Sequence, residues 1–179
     1  AVRQNESGRL TSDPRFLQLI HFIHAKLATN PTFFDVIAIK VVADSLARLS
    51  HPHPQIFDLI DNDAIRIASE GKCYEVSVIL WVFTNKSIHH PATALFSAIA
   101  ATGAKFTDGA RGTSHFNALA TILWAFAKND HPAPELFEAV AKHHASIAQT
   151  GTTYTLSQIA FSFAKLGHKS DALFDSIAG

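Results

Sequence analysis

Several residue types and patterns that mark common protein classes are missing from this sequence. Its 179 residues include one cysteine, Cys73, which excludes an internal disulfide and a multi-cysteine metal site. No run of 18 apolar residues occurs, since Asp35, Lys40 and Asp44 interrupt the most hydrophobic segment, so we expect no membrane span. Methionine is absent and the chain begins with Ala1. We therefore expect a processed product or an excerpt, with any targeting peptide outside the printed residues.

Net charge is also absent. Fifteen Lys and Arg residues balance fifteen Asp and Glu residues, so no overall field attracts the protein to a polyanion. The sequence has no Gly-x-Ser-x-Gly, no phosphate loop and no His-Glu-x-x-His, which removes the usual signatures of hydrolases, nucleotide-binding proteins and metalloproteases. These absences favour a protein without catalysis and without a cofactor.

What the sequence does contain is a repeat. The segment LWAFAKNDHPAPELF at 123–137 returns as AFSFAKLGHKSDALF at 160–174, and looser copies occupy 43–57 and 80–96. Four histidines mark the copies at intervals of 39, 41 and 37 residues. We interpret ten residues as structural anchors of this repeat: His51, His90, His131 and His168, with Trp81, Trp124 and Phe161 before them and Phe96, Phe137 and Phe174 after them.

Apolar residues within each copy follow a helical spacing, and the short His-Pro connection suits two antiparallel helices. The sequence predicts an all-α fold, an α-solenoid of about four helix-turn-helix repeats of 37–41 residues plus one N-terminal helix. Leu17 in that first helix is aligned with Phe57. The predicted segments are a polar tail at 1–12, one domain at 13–179, a lone helix at 13–28, hairpins at 32–69, 73–102, 114–149 and 155–179, and an exposed connection at 103–113.

The turns have residues suited to helix ends. Pro132 or Pro134 can begin a second helix, where the missing N–H costs no hydrogen bond, and Gly167 suits a left-handed position after a helix. The candidate N-caps are Thr32, Ser114 and Thr155.

The repeated segment resembles the octotricopeptide family and its relatives, which accompany RAP domains in organellar proteins of algae and protists. The resemblance rests on residues 119–128, His131 and 134–137, and more loosely on 156–168. It covers most of residues 13–179 and implies an α-solenoid located in plastids or mitochondria that usually handles RNA. This chain differs from the family in having few repeats, no RAP domain in the printed residues and no excess of basic residues.

One ring recurs in the first helix of three copies, as Trp81, Trp124 and Phe161. Such rings stack bases in single-strand binders, but their place in an apolar pattern favours packing between repeats. If they pack, truncation of Trp124 to alanine should cost about 3–5 kcal/mol.

A polar set occupies one further equivalent position: Arg48, Asn85, Lys128 and Lys165. On a stack of repeats these residues would form a ladder suited to phosphates or to an acidic partner, which makes them the candidate partner- or RNA-binding residues. Their location near helix C-termini, where a cation meets the negative end of the helix dipole, is the competing explanation.

Paired histidines suggest a third hypothesis, a metal-dependent enzyme. The pairs are His21 with His24, His51 with His53, His89 with His90, and His143 with His144. A catalytic zinc usually needs three protein ligands, and no third ligand accompanies these pairs, so we assign no metal residues.

The sequence therefore predicts a non-catalytic scaffold or adaptor that binds a protein partner within a larger organellar assembly, in plastid or mitochondrion, with RNA binding as the alternative. The last helix carries Leu173, Phe174 and Ile177 and stops at Gly179 without a polar capping unit. We expect both ends of the array to be covered by a partner or by missing sequence.

Overall fold

The computed structural model describes residues 10–179, and every regular element in that part of the chain is helical. The all-α prediction is confirmed. The predicted tail lies outside the described residues up to residue 9, while Leu10 and Thr11 are helical. Between Pro14 and Ala178 the helices are α1 (Pro14–Thr29), α2 (Val36–Arg48), α3 (Pro54–Asn62), α4 (Ala64–Glu70), α5 (Cys73–Phe83), α6 (Thr93–Thr102), α7 (Gly112–Lys128), α8 (Pro134–Ala141), α9 (His144–Thr150), α10 (Thr153–Leu166) and α11 (Asp171–Ala178).

The contacts between helices form two series, which we call the first row and the second row. In the first row α2 contacts α5, α5 contacts α7 and α7 contacts α10. In the second row α1 contacts α3, α3 and α4 contact α6, α6 contacts α8, and α9 contacts α11. One continuous apolar core runs between the rows, from Ile20 to Leu173.

The second helix of two hairpins is divided in two, which the sequence did not predict. Asp63 separates α3 from α4, and Lys142 and His143 separate α8 from α9. The first break brings α4 against α6. Arg66 of α4 pairs with Asp63 and donates to the carbonyl oxygens of Pro31 and Phe34, both at 3.1 Å. Arg66 thus supplies a hydrogen-bond donor to two backbone oxygens of the segment that joins α1 to α2.

The connection at 103–113 is more ordered and less exposed than its glycines suggested. A 3₁₀ helix spans Gly103–Thr107 and packs on α8, burying Phe106 and Thr107. The ring of His115 in α7 lies 2.6 Å from the carbonyl oxygen of Phe106. The prediction of an exposed loop is therefore wrong for the first half of the segment, because Phe106 supplies apolar area that the core can bury.

The helix ends agree with the sequence at prolines and at Gly167 but not at the N-caps. Pro54 and Pro134 begin α3 and α8, and Gly167 is left-handed with a φ of 71°. The three predicted N-caps lie inside helices: Thr32 in the 3₁₀ turn, Ser114 in α7 and Thr155 in α10. At the starts of α2 and α10 the observed caps are Asp35, which accepts from the Ala38 amide at 2.7 Å, and Thr152, which accepts from the Thr155 amide at 3.2 Å. Asp13 and Ser170 cap α1 and α11.

Candidate functional site

Three of the turn histidines, His90, His131 and His168, are half-buried in aromatic clusters. Each of three clusters contains a phenylalanine from the second row, a phenylalanine from the next first-row helix and the histidine of the next turn. Phe137 stacks on His168 with ring centres 4.2 Å apart, and Phe96 stacks on His131 at 5.6 Å. We call these nine residues the inner rings: Phe57, Phe83 and His90; Phe96, Phe126 and His131; Phe137, Phe163 and His168.

Backbone geometry places His131 and His168. Asp130 and Gly167 have left-handed φ angles of 50° and 71°, and the amides of His131 and His168 then donate to the carbonyl oxygens of Phe126 and Phe163 at 3.0 and 2.9 Å. This is a Schellman ending, in which the residue after the left-handed one closes the helix and packs on its last turn. The turn histidine therefore ends a helix and supplies a half-buried ring that packs on the core.

The first copy has a different arrangement around His51. Its ring meets Phe16 edge-on at 5.4 Å, whereas Leu17 is exposed, so the alignment of Leu17 with Phe57 is wrong by one residue. Next to it, His53 has a buried Nδ1 without a hydrogen-bond partner and a ring 5.8 Å from that of His24. Burial, followed by the charges of His24 and His51, lowers the pKa of His53.

The rings at the other repeated position of the first row point away from the core. Trp81 is 36% exposed, Phe161 is 46% exposed, and Trp124 is half-buried. We call these three residues the outer rings. The expectation that they are packing residues is corrected at Trp81 and Phe161, because their position two residues before an inner ring turns them to the opposite side of the helix.

The outer rings form one column of side chains, and a second column lies beside it on the same face. The sequence did not predict this second column. Tyr74, Asn117 and Tyr154 each precede an outer ring by seven residues, which is two helical turns. Both tyrosines are exposed, and the Asn117 side chain accepts a hydrogen bond from the hydroxyl of Thr155. The seven-residue spacing was the signal that could have identified this column.

Between these columns the first row forms a cleft of about 400 Å³. Its floor is Tyr74, Ser77 and Trp81 of α5, and hydroxyl and amide groups of α7 form one wall. Lys40 of α2 lies on the other wall, with its ammonium 5.3 Å from the centre of the Tyr74 ring. The complete lining is Lys40, Asp44, Arg48, Tyr74, Ser77, Val78, Trp81, Ser114, Asn117, Ala118 and Thr121.

The predicted polar ladder lies at the helix C-termini of the first row, but its members have local partners. Arg48 pairs with Asp44 at 2.9 Å, which raises the pKa of the guanidinium, and Lys165 pairs with Asp130 at 2.7 Å. Asn85 accepts hydrogen bonds from Ser87, and the Lys128 ammonium lies 5.7 Å from the centre of the Trp124 ring. Of the four residues, Arg48 lines the cleft.

The groups that could support chemistry are scattered. In residues 10–179 no group of three or more His, Cys, Asp or Glu side chains is arranged to hold a metal ion. The thiol of Cys73 is buried, and this burial, with a smaller effect of Glu75, raises its pKa to about 12. A thiol with that pKa stays protonated at neutral pH and is a poor nucleophile.

Comparison with known protein families, with curated proteins and with solved structures found no match to this chain. Among the described helices, none combines the length and the apolar character needed to cross a membrane.

Proposed function

We propose that this protein is a non-catalytic scaffold, an open α-solenoid of about four helical hairpins that binds a protein partner on its first-row face. The observation that carries the proposal is the exposure of the outer rings beside the cleft. An aromatic ring that is exposed in a monomer leaves apolar area in contact with water, which is unfavourable. Tryptophan and tyrosine are enriched where proteins bind one another. Trp81 and Tyr74 border one cleft, so a partner can cover both rings together.

The charge on this face favours a protein over a nucleic acid. Asp44 neutralises Arg48, and Asp130 neutralises Lys165, so two of the predicted phosphate contacts are already paired. The chain as a whole has no net charge, whereas nucleic-acid binding depends on uncompensated cations. A polar and aromatic cleft suits an extended peptide segment, whose backbone can bond to the hydroxyl and amide groups of α7.

The organellar setting is part of the proposal and rests on the resemblance of residues 119–128 and their copies to octotricopeptide repeats. In that setting the protein would be a subunit or an assembly factor of a plastid or mitochondrial complex.

RNA binding is the second candidate, and one observation favours it. Lysines lie beside two rings of this face: Lys40 near Tyr74 and Lys128 near Trp124. A ring for stacking with a cation for the phosphate is the combination that single-strand binders use.

Selection of peptides from a random display library tests the protein-binding proposal. Peptides are selected on the wild-type chain and then measured against Trp81→Ala and against Leu19→Ala, which removes an apolar side chain exposed on α1. We expect binding to be lost in Trp81→Ala and kept in Leu19→Ala. Peptides that bind all three chains equally would remove the cleft from the proposal.

The fluorescence of Trp81 and Trp124 tests the alternative. A single-stranded RNA that stacks on the outer rings should quench this fluorescence, and the affinity should fall steeply as salt is raised. Quenching without salt dependence, or no binding at low salt, would argue against RNA.

A further inference from the structure

A second cleft, of about 510 Å³, lies between α8 and the turn that joins α10 to α11. It is far along the chain from the first-row cleft and shares no lining residue with it. Its walls combine apolar side chains with two lysines and two histidines. The lining is Pro134, Phe137, Glu138, Ala141, Lys142, His144, Phe163, His168, Lys169, Ser170 and Ala172.

In the two preceding copies a hydrogen bond between side chains crosses the position that corresponds to this cleft. There the turn histidine bonds to the residue that follows the second-row phenylalanine: His90 to Asp58 at 2.9 Å, and His131 to Ser97 at 3.5 Å. The equivalent residue in the last copy is Glu138, and in the described residues it makes no hydrogen bond to His168. The last interface therefore has its histidine nitrogens available to a ligand.

Sequence differences at the same interface add positive charge. Lys169 follows His168, whereas a proline follows each of the other three turn histidines. Lys142 takes the place of Ala101 in the preceding copy. Both lysines are exposed, and within the described part of the chain neither forms an ion pair.

We propose that this cleft binds a small organic phosphate, with Lys142 and Lys169 holding the phosphate group and Ala141 and Ala172 contacting the organic part. The volume lies in the range of clefts that bind small molecules, and an apolar lining with a few convergent polar groups is the usual composition of such sites. Glu138 at the rim accepts a hydrogen bond from a hydroxyl or amino group of the ligand.

The number of donors distinguishes a phosphate from a carboxylate. Two ammonium groups, the His168 imidazole and the Ser170 hydroxyl line one cleft, together with the Nε2 of His144, whose Nδ1 already bonds to the Ser176 hydroxyl at 2.8 Å. A phosphate monoester has three terminal oxygens and a charge approaching −2, so it can accept from more of these donors than the two oxygens of a carboxylate. Lysine pairs with phosphate as a point charge, which tolerates the exposed position of both side chains.

Nuclear magnetic resonance with three probes tests this site: inorganic phosphate, adenosine 5′-monophosphate and glucose 6-phosphate. We expect an organic phosphate to shift the ring signals of His144 and His168, with inorganic phosphate binding more weakly because it lacks the part that contacts the apolar wall. Burial lowers the pKa of His168, and a bound dianion should raise that pKa again. No shift at either histidine with any probe would overturn the proposal, and inorganic phosphate binding as tightly as the esters would overturn its organic part.

Matched variants separate the cleft from general charge effects. Lys142→Gln with Lys169→Gln should weaken binding at least about tenfold, because two charge-assisted contacts are lost. The control, Lys72→Gln with Lys86→Gln, removes the same charge from two other exposed lysines and should bind like the wild type. A third variant, Ala172→Leu, should block the cleft while leaving the circular dichroism unchanged. Equal affinity in the double variant and its control would refute the site.

Discussion

The inner and outer rings are two regions of the molecule that share the first-row helices α5, α7 and α10. On α10, Phe163 and Phe161 are two residues apart, and they are 1% and 46% exposed. A step of two residues turns about 200° around a helix, so one ring enters the core and the other faces away from it. Aromatic content therefore does not distinguish the packing role from the binding role, and position relative to the neighbouring helices does.

The inner rings also show why the turn histidine recurs. In the last copy it stacks on a phenylalanine of the preceding second-row helix and meets a second phenylalanine edge-on, so one ring joins two copies. The outer rings have no such partner on their exposed side. We infer that the inner rings set stability and the outer rings are free to set binding, and four predictions follow from this contrast.

The largest effect should come from truncating matched phenylalanines of the two regions. Phe163→Ala leaves a cavity in the core and should lower the free energy of unfolding by about 3–5 kcal/mol. Phe161→Ala removes a half-exposed ring from the same helix and should lower it by about 1 kcal/mol or less. Denaturant unfolding of both variants measures the difference. Equal losses would mean that the contrast between inner and outer rings is wrong.

A buried polar link between α7 and α10 should show the next effect. The Thr155 hydroxyl is fully buried, donates to the Asn117 side chain and bonds to the Thr152 hydroxyl at 2.8 Å, so Thr155→Val removes both hydrogen bonds with little change in volume. We expect a loss of about 1–3 kcal/mol, because the Asn117 oxygen loses its donor. Thr153→Val, at an exposed position on the same helix, is the control and should change stability little. A loss as large at residue 153 would point to helix propensity instead.

Stability should also fall in mild acid through the histidines. Burial lowers the pKa of His168, and burial with the nearby His24 and His51 charges lowers that of His53. Below about pH 6.5 the unfolded chain takes up protons at these histidines, whereas the folded protein keeps the rings neutral. Stability is therefore lost as the pH falls from about 6.5 to the lower pKa of the folded state.

Thermal unfolding measured from pH 7.5 to pH 5 checks this dependence. His168→Gln should make the decline shallower, whereas His21→Gln, on the exposed side of α1, should leave it unchanged. A decline that is the same in both variants would assign the acid sensitivity to other groups.

The smallest effect concerns the turn that places His51 in the first copy. Ser50 has a left-handed φ of 49°, which glycine adopts without strain. Ser50→Gly should therefore stabilise the protein by up to about 1 kcal/mol. Ser45→Gly, inside α2, should destabilise it by about 0.5 kcal/mol. Stabilisation by both changes would exclude backbone strain as the cause.

Local sequence was sufficient for the features that depend on neighbours along the chain. Helical periodicity predicted the all-α class, Pro134 was one of the two prolines predicted to begin α8, and Gly167 was predicted at the left-handed end of α10. The N-caps were missed because Asp35 and Thr152 lie three residues from the amides they cap, outside the apolar pattern that was used to place the helix starts.

The candidate site depended on contacts that periodicity does not encode. Trp81 and Phe83 are both aromatic residues of an apolar helix, and only the packing of α5 between α2 and α7 decides which of them is exposed. The same holds for Lys165, whose partner Asp130 is distant in sequence. The sequence determined the all-α class and the repeated turns, since these follow from local geometry. Tertiary structure decided which rings form the core and which form a surface, because burial depends on what the neighbouring helices cover.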